Sequence, residues 1–181
     1  MTTALWLLAL QGVIGAFDTL YYHEWRARLP ARAGAAPELK LHAWRDFLYA
    51  VLFATLPWMA WQGRYAAVLA LVLAAEIALT LRDFVVEARI RRPMGDVYPG
   101  ERVTHAVMGI LYGAMLAFLI PVMLRWWEMP TGLVASAAPI PTGLKFALLL
   151  MAAGVLLSGA RDLYAASGLP KGAWPWRNPN S

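Results

Sequence analysis

Hydrophobic residues in this chain fall into five long blocks, and short polar stretches separate them. Each block holds about 20 residues, which as a helix is long enough to cross a hydrocarbon core of roughly 30 Å. The pattern therefore predicts an all-α integral membrane protein with five transmembrane helices in a single domain, residues 1–181. These helices are predicted over residues 4–29, 38–62, 66–92, 101–126 and 143–166.

The composition agrees with a membrane protein and excludes several chemistries. Apolar residues make up 60% of the chain and charged residues only 15%, whereas soluble domains are roughly half apolar and a quarter charged. The chain has no cysteine. Disulfide-stabilised scaffolds, cysteine-ligated zinc, iron–sulfur clusters and thiol catalysis are therefore excluded.

Basic residues are concentrated on one side of the predicted membrane, in the connections 30–37 and 93–100 and the helix ends beside them. Because Lys and Arg are enriched in cytoplasmic loops, we expect the N-terminus outside and the C-terminus in the cytoplasm of a cell inner membrane. The tail 167–181, with Arg177, is expected at the same interface. There the net charge of +5 serves topology and contact with anionic lipid rather than nucleic-acid binding.

Part of the chain is repeated. When Glu24 is aligned with Glu87 and the alignment continues without gaps at an offset of 63, eleven of the 33 positions up to Leu56 are identical. This composition would give roughly three identities by chance. We therefore predict a duplicated helical hairpin, with parallel copies over about 4–62 and 66–126. The two hairpins are expected to form a four-helix bundle against which the fifth helix packs.

The repeat brings acidic residues and histidines together near the cytoplasmic face. Each copy supplies a Glu-x-x-x-His pair on one helix face and a further glutamate near the end of the preceding helix. These side chains offer mixed oxygen and nitrogen ligands for two divalent transition-metal ions, with iron first and manganese or zinc as alternatives. The inventory is similar to that of ferritin-like di-metal carboxylate bundles, although those use Glu-x-x-His. The predicted ligands are Glu24, Glu38, His42, Glu87, Glu101 and His105.

The same residues are also compatible with a purely structural role. Glu38 and Glu101 lie in the first turns of their helices, where the helix dipole favours an acid. Glu24 and Glu87 precede arginines by four residues and can form ion pairs along the helix. Haem bound between the two histidines is disfavoured, because the surrounding acids suit a metal cation better.

Three further residues are candidates for a catalytic role. Tyr49 and Tyr112 follow the two histidines by seven residues and can donate hydrogen bonds or transfer protons. Asp83 shares a polar stripe with Glu76 on the third helix, and acids inside a membrane are functional candidates. His23 has no counterpart in the second copy, so it is expected to lie outside the symmetrical ligand set. A substrate is expected on the side where the two copies differ.

These patterns predict a membrane-embedded metal-dependent enzyme that acts on a membrane lipid or another lipid-soluble substrate. An oxidoreductase of the hydroxylase, desaturase or quinol oxidase type is the first candidate, and a metal-dependent hydrolase would use the same ligands. Two alternatives stay open: a non-catalytic subunit of a larger membrane complex, and a cation or proton transporter along the Glu76–Asp83–Glu87 stripe. Partner membrane subunits or a homo-oligomer are compatible with each of these functions.

Overall fold

The computed structural model describes residues 1–176, and this part of the chain is mostly helical. The segment from Thr2 to Ala31 and two later helices are each long and apolar enough to cross a membrane. The all-α class is confirmed, and these three segments indicate a membrane protein. Arg177 and the rest of the predicted tail beyond residue 176 lie outside the described residues. The five α-helices of residues 1–176 are α1 (Thr2–Phe17), α2 (Ala36–Thr55), α3 (Arg64–Ile90), α4 (Pro99–Trp127) and α5 (Thr142–Ala166).

The first predicted helix changes its hydrogen-bonding pattern part of the way along. After α1, residues Asp18–Ala27 continue as a π-helix, called the π segment below. Each turn of a π-helix takes up about one more residue than a turn of an α-helix. The π segment ends at Arg28, whose φ of 52° is left-handed. Two short 3₁₀ turns, Leu29–Ala31 and Ala33–Ala35, then lead into α2.

The second helix is shorter than predicted. α2 ends at Thr55 rather than at residue 62, and the strand β1 (Met59–Gln62) follows it. β1 pairs antiparallel with β2 (Gly132–Ala135), which lies between α4 and α5. Pro57 accounts for the early end of α2, because proline has no amide hydrogen with which to continue the helical hydrogen bonds beyond Leu56.

The five helices pack side by side in a ring. α1 contacts α4, α4 contacts α3, α3 contacts α2, α2 contacts α5, and α5 contacts α1. The fifth helix therefore packs against the other helices, as predicted, but it does so as a member of the ring between α1 and α2 rather than against a closed four-helix bundle. Gly159 permits this close packing: a Cβ atom at that position would lie 2.9 Å from the Asp46 Cβ and 3.0 Å from the Ala43 carbonyl oxygen of α2.

The interior of the ring is apolar in one half and polar in the other. The apolar half lies toward the two-stranded sheet, and Trp61 of β1 belongs to it. The polar half lies next to the connections 28–35 and 91–98, and buried charged side chains occupy it. Each helix contributes to the apolar half, with Leu8, Phe53, Leu69, Leu119 and Leu148 among its buried residues.

Local hydrogen bonds hold the connection between α3 and α4. Asp96 has a left-handed φ of 71°, and its carboxylate accepts hydrogen bonds from the Val97 amide at 2.8 Å and from Arg102 at 2.9 Å. These donors hold the pKa of the Asp96 carboxyl below its ordinary value. The Asp96 amide in turn donates to the Arg91 carbonyl oxygen at 2.8 Å, which fixes the backbone from which Arg91 reaches into the polar half.

Candidate metal centre

Buried polar side chains from all five helices and the π segment face the interior of the polar half. Seven of these residues are acids, three are histidines and one is an arginine. Such an excess of buried acids requires protons or other cations for compensation. The buried polar residues are Gln11, Asp18, His23, Glu38, His42, Glu76, Asp83, Glu87, Arg91, Glu101, His105 and Asp162.

His105 lies at the centre of the densest part of this region. Its Nε2 atom lies 3.0 Å from Asp18 Oδ2, and its Nδ1 atom lies 3.6 Å from Glu87 Oε1. His23 Nε2 lies 3.3 Å from the same Asp18 oxygen and 3.2 Å from Glu101 Oε1. The ligand atoms of Asp18, His23 and His105 all lie within 4.8 Å of one another, as do those of Glu87, Glu101 and His105. His105 is therefore shared by two groups of potential metal ligands.

One arginine joins Glu38 to Glu101. The Arg91 side chain is almost fully buried, and its Nε and Nη2 atoms donate to Glu38 at 2.7 to 3.0 Å. Nη2 also donates to Glu101 Oε1 at 3.2 Å. The second oxygen of Glu101 accepts a hydrogen bond from the Tyr98 amide at 3.4 Å, at the N-terminus of α4. Two of the six predicted ligands are thus paired with a permanent cation.

His42 occupies the neighbouring part of the polar half. Its Nε2 atom lies 3.3 Å from Asp83 Oδ2, and its Nδ1 atom lies 3.9 Å from Asp162 Oδ2 of α5. Arg45 donates to the same Asp83 oxygen at 2.8 Å. The His23 ring stacks on the His42 ring, with centroids 4.6 Å apart and planes inclined by 10°. The surroundings of His42 and His105 therefore meet at these stacked rings.

The π segment determines which side chains of the first helix reach the site. Asp18 begins the segment, His23 lies five residues further on, and both are buried. In a π-helix, hydrogen bonds join residues five apart, so positions i and i+5 lie on the same face. In an α-helix these two positions would be rotated by roughly 140° from each other. The π-helical geometry therefore brings Asp18 and His23 to the interior together.

Several buried atoms of the site have no hydrogen-bonding partner among residues 1–176. They include Asp18 Oδ1, His23 Nε2, Glu87 Oε2 and His105 Nδ1. Burial of a polar atom without a partner costs free energy. An additional cation that binds these oxygen and nitrogen atoms would remove that cost.

Five of the six predicted ligands, all except Glu24, lie in the polar half. The structure corrects the predicted place of Glu24, whose carboxylate pairs with the Arg161 guanidinium. It also accepts a hydrogen bond from Trp176 Nε1 at 3.1 Å. The π segment turns Glu24 toward α5, so Glu24 does not take a place equivalent to that of Glu87. The five residues predicted as ligands that lie in the polar half are Glu38, His42, Glu87, Glu101 and His105.

The three predicted catalytic residues take different places. Asp83 contacts His42, as described above. Tyr49 lies deeper, where it donates to Glu76 Oε1 at 3.0 Å and accepts a hydrogen bond from Gln11 Nε2 at 2.6 Å. The Tyr112 ring lies 6.4 Å from that of Tyr49, and its hydroxyl has no partner in the described part of the chain. Tyr49 therefore belongs to a separate hydrogen-bond network around Glu76, and Tyr112 lies beside it.

Sequence reasoning did not assign Asp18 and His23 to the ligand set. The available signal for Asp18 is an alignment with Asp83 at an offset of 65, which also aligns Gln11 with Glu76. That offset differs by two from the offset of 63 that holds further along, so it requires a two-residue insertion within the π segment. His23 has no such signal, because its role depends on the π-helical geometry.

The chemistry of the site has to be inferred from its geometry, because neither protein-family models, nor curated proteins, nor solved structures match this chain. Imidazole nitrogens and carboxylate oxygens in this arrangement can hold a divalent transition-metal ion. Imidazoles next to carboxylates can also accept and release protons.

Proposed function

We propose that the protein is a membrane-embedded, iron-dependent oxidoreductase. The observation that carries this proposal is the buried group of Asp18, His23 and His105, whose ligand atoms lie within 4.8 Å of one another. Two imidazoles and one carboxylate, with other coordination positions open, are typical of the non-haem iron(II) oxygenases. Manganese and zinc accept the same donors, and the metal analysis described below distinguishes them.

The spacing of these atoms supports a shared ion. A metal that holds two ligand atoms at about 2.1 Å in tetrahedral geometry separates them by roughly 3.4 Å. Asp18 Oδ2 lies 3.0 Å from His105 Nε2 and 3.3 Å from His23 Nε2. Small movements are therefore enough for the three atoms to surround one ion. Asp18 Oδ1, which has no partner within residues 1–176, supplies a further oxygen.

A dinuclear centre requires a second ion, and we propose that Glu87, Glu101 and His105 bind it. Glu87, Glu101 and His105 form the second group of ligand atoms within 4.8 Å. Glu38 is bound by Arg91 through both of its oxygens, so we propose that it supports the site rather than binds metal. The number of ions per chain tests this part of the proposal.

We also propose that all five helices cross the membrane, with the N-terminus outside and the C-terminus in the cytoplasm. The orientation rests on the distribution of basic residues, and the side-chain distribution of α3 supports a membrane-spanning helix. α3 buries Glu76, Asp83 and Glu87, whereas Leu71 and Val85 on its outer surface are 70% and 65% exposed. Buried acids together with large exposed apolar side chains suit lipid surroundings.

A duplicated hairpin accounts for the contacts between the two halves. His105 of the second copy contacts Asp18 of the first, and His42 of the first copy contacts Asp83 of the second. Such exchanged contacts are expected when two equivalent hairpins face each other across an approximate two-fold axis. α5 has no equivalent, and its place between α1 and α2 makes the first hairpin differ from the second.

The proposed reaction is hydroxylation of a C–H bond in a lipid-phase substrate by molecular oxygen. One oxygen atom is inserted into the C–H bond. The other is reduced to water by two protons and two electrons, which an external reductant supplies. The side chains of the site are buried, which limits the access of bulk water and thereby strengthens electrostatic interactions at the ion.

Elemental analysis of detergent-purified protein tests this proposal. Wild-type protein produced with iron, manganese and zinc in the medium should retain iron. His105→Ala should lose nearly all of the metal because both ligand groups share His105, and His23→Ala should lose about half or more. Glu24→Gln is the matched control, because Glu24 pairs with Arg161 outside the site, and it should retain wild-type metal content.

Other results of the metal analysis would favour other functions. A folded wild type that retains no metal would exclude the enzyme and favour a non-catalytic subunit. Protein that binds zinc alone and consumes no oxygen with any lipid would favour a hydrolase. Loss of metal from His105→Ala with full retention in His23→Ala would exclude the ligand group that contains Asp18.

A transport function along the acidic stripe of α3 has less support. Arg45 donates to Asp83 at 2.8 Å, and its Nε lies 4.0 Å from Glu76 Oε1. Arg45 therefore places a permanent positive charge between two acids of the stripe. A cation that moved along the stripe would be repelled by this charge, so the geometry favours a fixed site over a pathway.

A further inference from the structure

A cleft of about 660 Å³ runs along the first helix on the side that faces α5. α1 and the π segment form one wall, α5 forms the other, and side chains of α2 close the cleft from behind. This volume lies within the roughly 300–1,000 Å³ that is typical of small-molecule sites. The cleft lies on the side where α5 separates the two helices of the first hairpin.

The lining of the cleft changes from apolar to charged along its length. Gly12, Phe53 and Met151 line one end, and His23 and Asp162 line the other. The interval from Met151 to Asp162 on α5 corresponds to about 16 Å of helix. A molecule that fills this cleft needs an apolar part and a polar end, and the polar end would lie beside the imidazoles.

The cleft opens sideways through an apolar surface. Leu20 and Leu157 line it on opposite walls, and their exposed fractions are 67% and 72%. Both residues lie in segments that are long and apolar enough to cross a membrane. A ligand dissolved in the hydrocarbon phase can therefore enter without crossing water.

Two glycines keep the cleft wide. A Cβ atom at Gly154 would meet no other atom within 4 Å, so the absent side chain leaves free space. At Gly15, on the opposite wall, a Cβ atom would meet only the sulfur of Met108, at 3.8 Å. Because Gly154 lines the cleft, a larger side chain there would extend into this free space.

We propose that this cleft binds the hydrocarbon chain of a single-chain lipid, with the polar end of the lipid beside His23 and His42. The lipid would be the substrate if the proposed metal centre is correct. Only this assignment as substrate rests on the proposed function. Binding itself depends on the shape and polarity of the cleft.

Photo-crosslinking tests the binding. The probe is palmitic acid with a mid-chain diazirine, added to full-length protein in phosphatidylcholine vesicles, and mass spectrometry locates the label. We expect label on Gly12–Leu20 and Met151–Leu157, and excess unlabelled palmitic acid should remove it. Gly154→Leu should lower this labelling by about fivefold or more, the equivalent of about 1 kcal/mol of binding free energy. Gly113→Leu is the matched control, because Gly113 is equally unobstructed but lies on α4 outside the cleft.

The outcomes separate the cleft from the metal centre. Label spread evenly over the outward residues of α4 and α5, or label that unlabelled palmitic acid does not remove, overturns the inference. Equal labelling of Gly154→Leu and wild type also overturns it. The competition experiment uses wild-type protein alone, so it decides the question even if Gly154→Leu does not fold. Iron is measured in the same samples. Label that unlabelled palmitic acid removes, in protein without iron, supports the cleft and excludes the metal enzyme. Iron in protein whose label is not removed supports only the metal centre.

Discussion

Arg91 holds two glutamates in an interior where water cannot compensate their charge. We predict that Arg91→Met lowers the free energy of unfolding by about 3–5 kcal/mol, because it leaves Glu38 and Glu101 buried without their cation. Denaturant unfolding of the detergent-purified protein, followed by tryptophan fluorescence, measures this change.

Arg28→Met is the control for the loss of a positive charge. Arg28 is aligned with Arg91 in the repeat, but it is exposed and lies over the Trp176 ring at 4.7 Å. Its loss should cost less than about 1 kcal/mol. Equal costs for the two substitutions would contradict the bridging role of Arg91.

The two tyrosines of the repeat form a second matched pair. Tyr49→Phe should lower the free energy of unfolding by about 1–3 kcal/mol, because the buried Glu76 loses a donor and Gln11 loses its acceptor. Tyr112→Phe should change it by less than about 0.5 kcal/mol, because the Tyr112 hydroxyl has no partner in residues 1–176. Thermal unfolding of both variants provides the comparison. A large loss of stability in Tyr112→Phe would show that the Tyr112 hydroxyl makes a hydrogen bond.

At the level of secondary-structure elements, the turn from β1 into α3 depends on Gly63. Its φ is +57°, and a Cβ atom there would lie 2.6 Å from the Thr131 Cα. We predict that Gly63→Ala costs more than about 2 kcal/mol and lowers the melting temperature. Gly143→Ala, at an unobstructed position in the first turn of α5, should be neutral or stabilising. Similar melting temperatures for the two variants would show that the turn tolerates a side chain.

The helices with uniform geometry are the elements that periodicity predicts well. The predicted helix over 66–92 is observed as Arg64–Ile90, and those over 101–126 and 143–166 are also correct to within two residues. The error at the end of α2 has a physical cause. The short apolar run after Pro57 suits a strand as well as a helix, and only its pairing with Gly132–Ala135 decides between them.

Only the part of the candidate site that lies on regular α-helices could be predicted from the sequence. Glu101 and His105 share a face of α4, so their spacing was informative. Asp18 and His23 share a face only because the first helix becomes π-helical, and a period of about 3.6 residues assigns them to different faces. The pairing of Arg91 depends on the conformation of a short loop, for which hydrophobic periodicity provides no signal.

For the whole molecule, the membrane topology can be tested directly because the chain has no native cysteine. We predict that single cysteines introduced at Gly34 and Pro93 react with an impermeant thiol reagent only from the cytoplasmic side. A cysteine at Ala137 should react only from the opposite side. All three positions are exposed, so accessibility in the protein does not limit the reaction.

Mass-tagging of intact cells and of inverted membrane vesicles measures the two sides separately. Reaction of Gly34→Cys and Pro93→Cys from opposite sides would mean that the two hairpins are antiparallel. The exchanged contacts of His42 and His105 could then not come from parallel copies. Reaction of Ala137→Cys from the cytoplasmic side would show that α4 does not cross the membrane.

The contact of Arg91 with both Glu38 and Glu101 has a consequence for the proposed duplication. Under that proposal the two glutamates are equivalent, so a guanidinium that binds both lies where an approximate two-fold axis would pass, and only one side chain fits there. In a homodimer of single hairpins, two identical arginines would compete for that position. In a single chain the two arginines can differ: Arg91 takes the central position, and Arg28 contacts Trp176 instead.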